Sequence, residues 1–178
     1  MKTMLSLFLL IALGVNAQGV AEAKYSEPEF VGDVKYVGSG KDVLLPKERS
    51  FANGKVGFYS AKARSIIKGL ESAVKINPIE KHIFLVRVKD NSINPKSVVN
   101  VFKLEQDKKA GTRFVTVATE GTFSGTKSTI SFLDFEYSKY GEGCYIIVFP
   151  KSLEIGEYAI TLEGSRMIFN VFSITTEP

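Results

Sequence analysis

One cysteine and one histidine stand among the 178 residues, and tryptophan is missing altogether. A lone Cys144 cannot close an internal disulfide, so the core must be held by packing. With only His82 beside it, a Cys/His zinc cluster cannot be assembled, and a Ser-His-Asp arrangement would have to use that one imidazole. No Asn-x-Ser/Thr sequon occurs, so N-glycosylation is not expected. No segment beyond the N-terminal leader approaches the roughly 20 apolar residues that cross a bilayer. Basic residues outnumber acidic ones by a formal +4, yet they fall singly, as at Lys96, Lys103, Lys127 and Lys139. No run is dense enough to track a phosphate backbone, which argues against a nucleic-acid partner.

The N-terminus is where apolar residues do concentrate. Met1-Lys2-Thr3 supplies a short positive start, and residues 4–15 form an apolar run of about a dozen, the length of a signal-peptide core. The run has no polar face, as a buried amphipathic helix would require. It ends in Val15-Asn16-Ala17, which suits cleavage before Gln18; a second candidate cut follows Ala21-Glu22-Ala23. Gln18 stands where a lipoprotein would carry its anchoring cysteine, so the expected mature chain has neither a transmembrane segment nor a lipid anchor. The reading divides the chain into a cleaved leader at 1–17, a lead at 18–28 and one β domain at 29–176, exported to the periplasm or beyond.

Downstream, apolar runs of five to eight residues are punctuated by glycine, proline and asparagine, the spacing of an all-β fold. Strands are expected at 30–37, 42–45, 55–60, 83–89, 98–104, 113–119, 129–137, 144–149, 157–162 and 167–174. Asn53-Gly54 reads as a hairpin turn before the third of these, and residues 121–128 read as a loop. Ile66, Ile67, Leu70, Ala73 and Val74 fall at helical spacing, so 60–76 admits one short helix. Gly69 in its middle disfavours that helix by about 1 kcal/mol, and two short strands at 64–67 and 72–76, bent at Gly69, are preferred. About ten or eleven strands in all predict an antiparallel β-sandwich, immunoglobulin-like in kind, with a barrel as the alternative. The 13 phenylalanines predict a phenylalanine-rich core including Phe84, Phe102, Phe132, Phe149 and Phe169. Cys144, inside the apolar run 144–149, reads as an inert core thiol.

The segment Ser152-Leu153-Glu154-Ile155-Gly156-Glu157-Tyr158-Ala159-Ile160 resembles the phrase Leu-x-x-Gly-Glu-Tyr-Ala of many uncharacterised bacterial exported β-sandwich domains, and the leader's ending is similar to those of the Bacteroides group. Looser similarity at 69–74 and 83–89 extends it to about half of the chain beyond the leader. The resemblance implies a tight turn at Gly156 leading into a late strand; Ile155 replaces the usual proline. Tyr158 and Ile160 then alternate inward.

Residues able to do chemistry are sparse. His82, after Glu80-Lys81, reads as an exposed histidine at a strand end. Asp134 and Glu136 project to one face of a strand about 7 Å apart, but glycosidase carboxyls face one another across a cleft, and a solvated strand face accounts for the pair. Asp90-Asn91-Ser92-Ile93-Asn94 has too few carboxylates for a calcium loop and suits an Asx turn. Gly38-Ser39-Gly40-Lys41 lacks the glycine spacing and the following Ser/Thr of a phosphate loop. Tyr137, Tyr140 and Tyr145, grouped around Gly141-Glu142-Gly143, form a candidate partner surface. The expected function is therefore that of a non-catalytic exported protein working through protein contacts as an envelope accessory or assembly component. A carbohydrate- or envelope-polymer-binding module is the alternative, and a hydrolase stands last. No cofactor and no metal are implied.

Overall fold

The computed structural model describes residues 25–56, 60–121, 125–164 and 167–176. The leader at 1–17, and the lead as far as residue 24, lie outside the described residues. The first strands are β1 (Val34–Tyr36), β2 (Val43–Leu44), β3 (Lys47–Arg49), β4 (Phe51–Val56), β5 (Ser60–Lys68), β6 (Lys75–Ile76) and β7 (Ile83–Arg87). A single turn of helix, α1 (Pro95–Val98), precedes β8 (Val99–Asp107), β9 (Thr112–Gly121) and β10 (Gly125–Ser128). The remaining described strands are β11 (Glu136–Tyr140), β12 (Cys144–Val148), β13 (Gly156–Leu162) and β14 (Ile168–Ile174). The protein is all-β, as the punctuated apolar runs predict. Among the described residues no helix is long and apolar enough to cross a membrane.

One sheet has the order β11-β12-β7-β1-β2. The other runs β3-β14-β13-β8-β9-β5-β4, with β10 beside β9 and β6 beside β14. Its two outermost strands are consecutive: only Ser50 separates β3 from β4. Ser50 is fully buried and its N–H donates to the Met167 carbonyl at 2.7 Å. One stretch of chain, 47–56, thus pairs with β14 through its first half and with β5 through its second. The second sheet therefore closes into a ring of antiparallel neighbours, a small barrel with the five-stranded sheet laid against one wall. A register shift between Ala63 and Arg64 in β5 marks an irregularity of the kind that helps a sheet curl.

Closure gives the barrel strands two interiors. Alternate residues of β8, β13 and β14 point outward to the five-stranded sheet: Val99 and Val101, Tyr158 and Ile160, Phe172 and Ile174 meet Phe84, Val86, Tyr145 and Ile147. Phe172 lies between Phe84 (centroids 4.7 Å) and a stacked Tyr158 (5.4 Å). The intervening residues, Phe102, Leu104, Ala159, Phe169 and Val171, point into the barrel with Ile67 and Val115. Gly156, at φ 151°, is the first residue of β13 and not part of a turn, and Tyr158 and Ile160 are buried in the core, the inward alternation expected.

Several local expectations give way. Asn53-Gly54 lies inside β4, where it pairs with Arg64 and Ala63 without a positive φ at Gly54, because the ladder to β5 continues through it. Residues 129–135 form no strand apart from a Phe102–Phe132 bridge, and the strand begins instead at Glu136. The segment has to leave the barrel, where Phe132 faces, and reach the intersheet core, where Phe135 is buried. Part of the expected 121–128 loop is β10, hairpinned onto β9. Phe84, Phe102, Phe149 and Phe169 are buried, but Phe132 is 54% exposed because it sits at an opening of the barrel. Region 60–76 holds two strands and no helix, as preferred, with Gly69 at φ 83° where β5 ends, but the second strand is only Lys75–Ile76 and residues 69–74 are irregular.

His82 is buried and not exposed, a correction with a clear cause. The chain from 150 to 155 folds over it, and the Leu153 N–H donates to its Nδ1 at 3.3 Å, while Nε2 lies 3.4 Å from the Asn77 carbonyl. The ring is thereby suited to its neutral form, and burial lowers its pKa below the ordinary 6.5, against the smaller opposing pulls of Asn77 and Glu80. The unfolded chain therefore binds the proton more readily than the folded one. Stability is present in full above pH 6.5 and is lost as pH falls through the lower folded value. Urea midpoints measured from pH 7.5 to 5 are expected to fall for the natural protein and to stay flatter for His82→Gln. Parallel profiles would remove His82 as the cause.

Candidate functional site

The barrel's interior changes character along its length, and each change follows the two-residue period of the strands. At one end Arg113 of β9 is only 1% exposed. Its guanidinium donates to Glu157 Oε2 at 3.0 Å and to both Glu48 oxygens at 2.9 and 2.7 Å, and its Nε donates to the Gly69 carbonyl at 3.2 Å. Glu157 also accepts from the Ser72 N–H and the Ser173 hydroxyl. This network plugs the barrel. The next layer holds Ile67, Leu104, Ala159 and Val171.

Beyond that layer the lumen opens. β8 and β9 pair directly only at 105–107 with 112–114. Past that point β10 takes the place beside β9, and the chain after it crosses to β8, with the Thr129 N–H donating to Val117 (3.4 Å) and the Leu133 N–H to Val101 (2.8 Å). This widening leaves a cavity of about 590 Å³. Phe102, Val115 and Phe169 lie deepest, with Val117 and Ile130 on the wall, and Phe132 and Met167, both exposed, at the rim. Ser65, Asn100, Ser128 and Thr161 supply the polar groups, and among the described residues no charged side chain lines the cavity. Asn100 and Thr161 are direct cross-strand partners. A concave, mostly apolar cavity with a few polar groups, at the mouth of a small barrel, has the form of a small-ligand site.

Of the tyrosines singled out in sequence, the structure brings together Tyr137 and Tyr145, whose rings meet edge-on at 5.8 Å, and not Tyr140. Tyr145 is buried in the intersheet core, its hydroxyl donating to the Asn91 and Ile93 carbonyls at 2.9 and 3.0 Å. Tyr140 lies on the opposite face against Tyr25, whose carbonyl accepts from its hydroxyl at 2.6 Å. Tyr137, 41% exposed on the outermost strand β11, is the ring that reaches solvent.

The remaining candidates have structural roles. Asp134 and Glu136 are exposed, and the Lys96 ammonium, 2.7 Å away, holds Asp134 below the usual carboxylate range. A nearby cleft of about 460 Å³ carries Glu154 beside Asp134; Lys103 at 2.9 Å likewise lowers Glu154. Both carboxyls are thus held as anions and not poised as proton donors. Asp90 accepts the Ser92 N–H at 2.8 Å in the expected Asx turn, and Asn94 caps α1 through the Lys96 N–H. Gly38-Ser39-Gly40-Lys41 forms a 3₁₀ turn whose lysine pairs with Glu80 at 3.0 Å. Cys144 is buried with Val37 and Leu85, and burial raises its thiol pKa. Among the described residues, no three of His, Cys, Asp or Glu come together as a metal site.

Neither the plug nor the lumen is apparent from the sequence reading. The available signal was a charge at an inward period: Arg113 shares its face with Val115 and Val117, and Glu157 with Ala159 and Thr161. No protein-family model matches the chain, and no curated protein or solved structure matches it.

Proposed function

We propose that the chain is an exported, non-catalytic accessory protein of the cell envelope or its exterior, which acts by contact and whose working site is the barrel mouth. The leader at 1–17 and the similarity of the Gly156-Glu157-Tyr158 segment to exported β domains support export. The open lumen, lined by no charged side chain among the described residues, beside a plugged opposite end is the observation that carries the site. A photo-reactive benzoylphenylalanine in place of Phe132 is expected to give a covalent adduct on irradiation in the native host. The same residue in place of Ile79, 90% exposed and distant in sequence from the mouth strands, serves as the reference. Equal yields at the two positions would sink the reading.

A protein partner at the sheet edge is a second reading, favoured by β11. Its five residues form an edge of the five-stranded sheet and present Tyr137 to solvent. An extended segment can add to such an edge through main-chain hydrogen bonds. Benzoylphenylalanine at position 137 tests that reading separately.

A further inference from the structure

We infer that the barrel lumen binds one small uncharged amphiphile, its apolar body against Phe102, Val115 and Phe169 and its hydrogen-bonding group at Asn100 and Thr161. This rests on the mouth being the working site and names what occupies it. The cavity of about 590 Å³ is in the range of small-molecule sites.

Charge decides the class. Among the described residues no lysine, arginine or carboxylate lines the cavity. Arg113, the cation inside the barrel, is shut off behind Ile67, Leu104, Ala159 and Val171 and already engaged by Glu157 and Glu48. An ionised headgroup would lose its water without gaining a counter-charge. A hydrocarbon would leave the polar wall unused. Thr161 is 7% exposed, and neither its hydroxyl nor the Asn100 amide makes a side-chain hydrogen bond among the described residues. Together they offer one hydroxyl and one amide, able to donate to or accept from an alcohol, ester, amide or amine. A protein strand is a poorer occupant, since its main-chain polar groups would enter a lumen whose own strands are already paired.

The test uses N-phenyl-1-naphthylamine, an uncharged aromatic amphiphile whose fluorescence rises in apolar surroundings, with the purified protein. A saturable rise at one site per chain is expected, weakened at least tenfold by Val117→Trp, which fills the lumen. Phe132→Ala, at the exposed rim where folding is little affected, is expected to weaken it at least threefold. 1-Decanol should displace the probe at a tenfold lower concentration than decanoate at pH 8, and Asn100→Leu with Thr161→Val should narrow that gap. No saturable rise, a rise that both lumen variants leave unchanged, or decanoate competing as well as decanol would overturn the inference. Failure here together with a preferential photo-adduct at position 132 would discard the ligand class and leave the mouth as the contact surface.

Discussion

Arg113→Met is expected to remove about 3–5 kcal/mol of stability, because it leaves Glu157 buried with no cation to answer its charge. The guanidinium makes bonds to two carboxylates and one main-chain carbonyl within 3.2 Å, and it spans the barrel from β9 to β3 and β13. Breaking a buried ion network from one side is far costlier than replacing it whole. The triple change Arg113→Met, Glu157→Leu and Glu48→Met is therefore expected to regain most of the loss, and the Ser72 N–H would keep the Ser173 hydroxyl as acceptor at 3.1 Å. Urea unfolding of the single and triple variants checks both statements. A single variant within about 1 kcal/mol of the natural protein would show that the plug holds nothing together.

Gly38→Ala should cost about 3 kcal/mol, at the upper end of what overpacking exacts. A Cβ at Gly38 would stand 2.0 Å from the Lys81 carbonyl oxygen and 2.6 Å from the Tyr36 hydroxyl. Neither can retreat easily. The Lys81 carbonyl is main chain and accepts the Ile83 N–H, and Tyr36 is fully buried with its hydroxyl donating to Glu80 at 2.5 Å. Burial first, and that bond second, raise the Tyr36 pKa well above its ordinary 10.0. Gly40, two residues on, is a matched control. It has φ 73° but open space around it, so Gly40→Ala should lose only the strain of a left-handed residue, about 1–2 kcal/mol. Equal losses at the two positions would mean that the turn yields around a Cβ at Gly38 and that the contact with Lys81 is not what excludes it.

The strands themselves were largely readable from the chain, because glycine and proline punctuate them and their apolar residues alternate. Closure was not, since it depends on Ser50 joining two edges that meet partners far away in sequence. β13 and β14 show why the lumen is not legible in the sequence. Every residue in Glu157–Leu162 and in Phe169–Ile174 is buried, because these strands separate two interiors. An apolar residue facing a cavity is then indistinguishable in sequence from one facing the core. His82 and the tyrosines misled for a related reason: their surroundings come from residues 150–155, from Tyr25 and from the 91–93 loop, none of them neighbours in sequence. The phrase around Gly156 carries more than the start of a strand. Its glutamate anchors the plug while its tyrosine stacks in the core, so adjacent residues serve opposite sides of one wall.

The join at Ser50 also orders events in time. Glu48 pairs with Phe169, so the ring cannot shut until β14, far along the chain, has been synthesised and is free to move in. Until then β3 and β13 each offer an unfilled margin, and the lumen does not yet exist. A contact of such long range makes completion late and comparatively slow. A chain emerging N-terminus first would stay unlatched until β14 arrived, and would seal itself only afterwards.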